Sequence, residues 1–206
     1  MNIRPSVFAV EKEYQIMVPS PEPSLMWAEV GDRKFYDDSC GILRSDTVIH
    51  RISVPAELLD NTREYTVCYR IVNKRSPYYS DTGEIQKETF VFRPFDKEDD
   101  FRIYHISDAH GRIESPVEAA QKFGEIDLLI LNGDNVDHSG CAENFYNIYE
   151  IGYRVTNGGI PVLFSRGNHD MRGFFAEKLI DYTPNNGGKT YYSFCRSIIT
   201  CNDFLL

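Results

Sequence analysis

The rhythm of apolar and polar positions changes part-way along the chain. Up to Phe95 the apolar residues recur at every second position. Tyr65, Val67, Tyr69 and Ile71 alternate with Thr66, Cys68 and Arg70, the pattern of a strand with one buried face. Val48, His50, Ile52 and Val54 form one face of a similar run, and Thr89 to Phe92 is a further β-rich run. Turn-forming residues separate the runs at Pro19–Pro23, Gly31-Asp32, Asp37-Asp38-Ser39, Asp60-Asn61 and Asp81-Thr82-Gly83. The spacing predicts an all-β sandwich of immunoglobulin or fibronectin type over residues 1–97. Trp27 is the one tryptophan, so the cysteine and tryptophan pattern of an antibody domain is absent. His50 falls at an inward position and reads as a packed histidine. Tyr78-Tyr79 reads as part of a loop lying on the sandwich.

Pro94 to Asp100 is short, charged and opens on proline, which predicts a junction. Beyond it, strand and helix patterns alternate. Ile103–Ile106 is a short β run. Ser115-Pro116 has the composition of a helix start, with Ser115 as cap and Glu118 three residues on. Leu128 to Leu131 is continuously apolar, as a strand buried on both faces requires. Ala142–Val155 reads as a helix stopped by Gly158-Gly159, Pro161–Phe164 as a third strand, and Phe174–Ile180 as another helix. A β-α-β-α-β order implies a largely parallel sheet, so residues 98–206 read as an incomplete α/β domain. The fold class expected is therefore a two-domain chain, an all-β sandwich followed by an incomplete α/β domain.

Three short motifs carry the chemistry. They are Ser107-Asp108-Ala109-His110-Gly111, Asn132-Gly133-Asp134-Asn135-Val136-Asp137 and Arg166-Gly167-Asn168-His169-Asp170. Each follows one of the three predicted strands. Ligands in open α/β sheets gather at the carboxyl ends of strands, so parallel strands would bring Asp108, Asp134 and Asn168 to one edge. Carboxylate, amide and imidazole donors suit manganese, iron or zinc. A carboxylate such as Asp134 can bridge two cations, and two cations can orient a hydroxide and stabilise an in-line displacement. His169 is placed to face a substrate, protonating a leaving group or stabilising phosphoryl charge, with Asp170 holding its ring. Arg112, Arg166 and Arg172 lie near the motifs as candidate phosphate contacts. His105 and His138 are spare histidines with outward or packed roles. Gly187-Gly188-Lys189 has no surrounding Walker pattern, which leaves a nucleotide-binding reading weak.

Taken together, Asp108-Ala109-His110, Gly133-Asp134-Asn135-Val136-Asp137 and Gly167-Asn168-His169-Asp170 resemble the first three motifs of the calcineurin-like metallophosphoesterase family. The resemblance covers Arg102 to Asp170. It implies a layered α/β/β/α fold and a dinuclear centre of two divalent ions. By it, Asp108 and His110 bind the first metal, Asp134 bridges, Asn168 binds the second, and His169 is the catalytic histidine. The preceding β segment is similar to the small sandwich ahead of some members, including purple acid phosphatases. That subtype itself is not indicated: Asp137 stands where its iron-binding tyrosine falls, and its first motif lacks the histidine found here as His110. Family members continue with another metal-binding histidine and a Gly-His-x-His motif, whereas no histidine follows His169. The expectation is thus the N-terminal half of a phosphoester hydrolase, inactive or nearly so as this chain. The competing expectation is a noncatalytic binding module with a vestigial metal site.

Charge narrows the partners. The formal net charge is −9, which disfavours nonspecific attraction to nucleic acid or anionic membrane. A phosphoester substrate is still compatible, because bound cations reverse the local field. No run reaches the roughly 18 to 20 apolar residues of a membrane helix. Met1–Val10 has no sustained apolar core of the kind a signal peptide needs. Cys40, Cys68, Cys141, Cys195 and Cys201 lack paired metal-type spacing and read as reduced thiols of a cytoplasmic protein.

Overall fold

The computed structural model of the chain describes residues 2–96 and 100–194. The middle of the expected junction, along with Cys195 and Cys201, lies outside the described residues. The first half holds β1 (Ser6–Val10), β2 (Glu13–Pro19), β3 (Ser24–Val30), β4 (Arg33–Tyr36), β5 (Asp38–Ser39), β6 (Ile42–Leu43), β7 (Ile49–Pro55), α1 (Ala56–Thr62), β8 (Glu64–Lys74), β9 (Asp81–Thr82) and β10 (Gln86–Val91). The second holds β11 (Ile103–Ile106), α2 (Glu114–Phe123), β12 (Leu128–Asn132), α3 (Tyr146–Thr156), β13 (Pro161–Ser165) and α4 (Leu179–Tyr182).

Two sheets face each other. One has the order β10-β8-β3-β4, with β9 added to β8. The other has the order β11-β12-β13-β1-β2-β7, and its strands come from both halves of the chain. The expectation of a separate sandwich over residues 1–97 therefore needs correction. Strands β1, β2 and β7 do face β10-β8-β3-β4, but their sheet does not end at β1. Strand β13 pairs with β1 in parallel, matching Val7 with Pro161 and Phe8 with Val162, so the sheet runs through the expected boundary. Pairing covers what would otherwise be an exposed strand edge.

The sequence of β1 explains the join. Ser-Val-Phe-Ala-Val does not alternate, and all five residues are buried. Val7 and Ala9 point into the core between the sheets, with Ile16, Met26, Val67, Tyr65, Leu128 and Leu163. Phe8 and Val10 point the other way, into a core beneath the helices with Leu129, Ile148, Tyr149 and Phe164. Such two-sided burial is worth about 1.5–3 kcal/mol for each Val or Phe side chain. The same logic holds for β12, where Leu128 and Leu129 serve opposite cores. Helices α2 and α3 cover the outer face. Their polar sides meet through a double contact of Arg154 with Glu114, at 2.6 and 2.8 Å.

Local details differ from the expectations in three places. Ser115 lies inside α2 and does not cap it; Ile113 precedes the helix without a side-chain cap. The segment 174–182 is a 3-10 turn at Ala176–Lys178 followed by the four residues of α4, a shorter helix than expected. Tyr78 and Tyr79 are 90% and 86% exposed and do not lie on the sheet. His50 is buried as expected, between Asp37 (Nδ1 to Oδ2, 2.7 Å) and Ser24 (Nε2 to Oγ, 2.9 Å). Among the described residues no helix is long and apolar enough to cross a membrane.

Candidate metal centre

Strands β11, β12 and β13 are mutually parallel and end at one edge. The three motif loops leave from that edge. Asp108, His110 and Asp134 adopt φ values of 58°, 46° and 50°, the left-handed region that non-glycine residues rarely use. Each such residue costs about 1–3 kcal/mol and persists only where its surroundings hold it. The first two loops hold one another by backbone bonds. Asp108 N donates to Gly133 O (3.2 Å), His110 N to Asp134 O (2.8 Å) and Gly111 N to Asn135 O (3.0 Å).

The second and third loops meet just as closely. A Cβ on Gly167 would lie 2.1 Å from Asp134 Oδ1, and one on Gly133 would lie 2.9 Å from the Gly167 Cα. Glycine at both positions is what allows the loops to touch. Asp134 then accepts the His169 backbone N–H on Oδ1 at 2.8 Å. Asp170 supplies the pin. Its carboxylate is fully buried and accepts the backbone N–H groups of Gly167 (2.7 Å), Asp134 (3.0 Å) and Val136 (3.2 Å). Burial raises its pKa above the ordinary aspartate range, and the three amides oppose that shift in part. The sequence reading has Asp170 orienting the His169 ring. In the structure Asp170 instead ties the Asp134 loop to the Gly167 loop, because its oxygens are used by backbone amides.

The loops bring His110, Asp134 and His169 together, with one ligand atom of each within 4.8 Å of the others. The two imidazoles meet edge to face, with ring centroids 4.4 Å apart. Asp108 Oδ1 lies 3.7 Å from His110 Nε2, and Asp137 Oδ1 lies 3.9 Å from His110 Nδ1. Donors on one ion with bonds of about 2.0–2.2 Å are themselves roughly 3–4 Å apart, so small side-chain rotations suffice to close this set on a cation. The His110 imidazole and the carboxylates of Asp108 and Asp134, with His169 beside them, form a borderline donor set that fits zinc, manganese or iron.

Asn168 and His169 also face Arg172. With the Asn168 amide oriented to satisfy both ends, its nitrogen donates to Asp134 Oδ2 at 3.3 Å and its oxygen accepts from Arg172 Nη2 at 2.7 Å. His169 Nδ1 lies 2.7 Å from the Asp137 carbonyl, and Nε2 lies 3.1 Å from Arg172 Nη1. A carbonyl only accepts and a guanidinium only donates, so the ring carries its proton on Nδ1 and offers a lone pair at Nε2. One guanidinium therefore occupies the two acceptors that the resemblance gives to a second cation and to catalysis. Sequence reading placed Arg172 near the motifs but not this contact. Its position three residues after His169, across a 3-10 turn, was the available signal. His138 is exposed and bonds locally to Gly140 N at 3.0 Å, and His105 is exposed on β11, so neither joins the cluster. Arg112 is exposed, while Arg166 contacts the Met171 sulfur. A cavity of about 360 Å³ opens beside Asn168, lined by Arg166, Gly167, Met171, Thr190 and Tyr191 among others.

A model of the calcineurin-like phosphoesterases matches residues 101–204, which contain all three loops. The chain belongs to the calcineurin-like phosphoesterase family. Among curated proteins, none matches. Among solved structures, the fold is similar to that of the purple acid phosphatase PPD1 isolated from yellow lupin (Lupinus luteus) seeds, with a TM-score of 0.52 and 14% identity. The match covers 92% of this chain and 42% of that one, so the chain spans about two fifths of the phosphatase's length. That likeness concerns the fold, including part of the first-half strands. The cluster of His110, Asp134 and His169 lies within the residues that the family model matches.

Proposed function

We propose that the chain is the metal-binding half of a phosphoester hydrolase, a phosphatase or phosphodiesterase acting through divalent ions. The observation that carries this reading is the convergence of His110, Asp134 and His169 at the ends of three parallel strands. In this reading Asp108, His110 and Asp134 hold the first ion, and Asn168 with Asp134 reaches a second. A bound divalent ion would supply Lewis acidity toward a phosphoryl oxygen and lower the pKa of water. The protein's own groups do the rest. Asp170 and the two glycines keep the loops in register. His169, with its proton on Nδ1 against the Asp137 carbonyl, offers a lone pair at Nε2; it could donate from Nε2 only after Arg172 withdraws and Nε2 takes up a proton from water. The cavity beside Asn168 gives a phosphoester space next to these groups.

We further propose that the chain by itself holds one ion well and turns over little substrate. The support is the Arg172 contact with Asn168 and His169. Among the described residues Cys40, Cys68 and Cys141 are free thiols.

Calorimetric titration with manganese and with zinc, alongside hydrolysis of bis-para-nitrophenyl phosphate, tests both parts. The expected result is one ion per chain, binding lost in Asp134→Ala, and turnover near background. Absence of metal binding in the parent chain would overturn the metal reading. Clear turnover that vanishes in Asp134→Ala would overturn the inactivity and leave the hydrolase reading standing.

A further inference from the structure

A second cavity, of about 730 Å³, lies on the far side of the molecule's large sheet. Its walls come from β2, β4, the β5–β6 hairpin, β7 and the loop at 185–188, and β7 is the edge strand opposite β11. No residue of the three motifs lines it. Its volume falls within the roughly 300–1,000 Å³ typical of small-molecule sites. The walls are fastened by a reciprocal pair: Gln15 Nε2 donates to Asn185 O at 2.7 Å, and Asn185 N donates to Gln15 Oε1 at 3.0 Å.

Three carboxylates and three cationic side chains surround this cavity, and they differ in how they are bonded. Its carboxylates all have partners. Asp37 Oδ2 is bonded to His50 Nδ1 at 2.7 Å, Asp38 Oδ2 accepts from Gly41 N at 2.6 Å, and Glu13 Oε1 accepts from Gln15 (2.8 Å) and Ser53 (3.0 Å). Lys34 pairs with Glu29 at 3.3 Å. The two arginines are different: among the described residues neither Arg44 nor Arg51 has an ion pair. Arg51 Nη2 reaches only the carbonyls of Ile180 (2.6 Å) and Asp181 (3.2 Å), and its enclosed Nε has no hydrogen-bond partner. Burial, with the Arg44 charge contributing, holds the Arg51 guanidinium below its ordinary range.

We propose that this cavity is a binding site for a small molecule bearing a phosphate or carboxylate group, received between Arg44 and Arg51. Guanidinium groups bind both oxyanions through paired N–H donors. The site is separate from the metal centre and does not depend on the hydrolase reading.

The test is an NMR titration of the isotope-labelled chain with inorganic phosphate, and in parallel with acetate, against sodium chloride at matched ionic strength. Saturable shifts are expected at backbone amides of residues 36–44, around Arg51, and at 185–188. Arg44→Ala should weaken binding by about tenfold or more, as loss of one charge-assisted pair implies. Arg51→Lys keeps the charge and removes the fork, and should weaken it as well; its folding is read from the same spectra. A response to phosphate alone assigns a phosphoryl ligand, and an equal response to acetate assigns a carboxylate. Shifts no larger than those with chloride overturn the proposal. So do shifts insensitive to Arg44→Ala, or shifts confined to His110, Asp134 and His169.

Discussion

Replacing Asp170 with asparagine separates the two roles this residue has been given. The variant keeps the shape of the side chain but leaves one acceptor oxygen in place of two, and its amide group faces backbone donors. The carboxylate accepts three backbone N–H groups, from Gly167, Asp134 and Val136. Hydrogen bonds to a charged group are worth about 1.5–3 kcal/mol each. Relief of the carboxylate's burial, the main reason for its raised pKa, offsets part of that loss. A net destabilisation of about 2–4 kcal/mol is expected, or a Tm lower by roughly 5–15 °C for a chain of this size. Thermal and urea unfolding followed by circular dichroism measures it. Manganese affinity should fall with it, because the Asp134 loop loses its tether. Unchanged stability together with shifted His169 ring resonances by NMR would refute this reasoning and restore the ring-orienting role.

Three further outcomes are expected. Arg172→Ala frees Nε2 of His169 and the Asn168 oxygen, so metal affinity should rise several-fold, which calorimetry reads. Phe8→Ala removes a ring packed edge to face on Tyr149 and Phe164, at centroid distances of 5.9 and 6.4 Å, and should cost about 3–5 kcal/mol. Hydrogen exchange should accelerate on both sides of residue 97 in that variant, and acceleration on one side only would argue for independently stable halves. Lys87, and after it Lys34, hold the Glu29 carboxyl down to about 2. A depressed folded-state pKa means its contribution is present above the ordinary glutamate range and lost as pH falls toward about 2. Screening at the surface limits it to about 0–1 kcal/mol. Glu29→Gln should therefore lower stability slightly at neutral pH, with the difference from the parent closing in acid.

The sequence alone was enough to place Asp108, His110, Asp134, Asn168 and His169 at the ends of three parallel strands. Those placements depend on local signals: a continuous apolar run for a doubly buried strand, a glycine where a loop must turn tightly, a ligand just beyond. Leu128–Leu131 and Pro161–Phe164 carry such signals in a few adjacent residues. The β segments of the first half were legible for the same reason. Which sheet they would join was not, because strand pairing is a contact between distant residues. The unbroken run Val7–Val10 hinted at burial on two faces, but only the packed molecule shows β13 as its neighbour. The partners of Asp170 and Arg172 likewise depend on how far apart two loops settle. Gly133 and Gly167 let those loops touch, and that contact directs Asp170 to backbone amides and leaves Arg172 over His169. Residue type sets what a side chain can bond to; tertiary structure decides which of the available partners lies within reach.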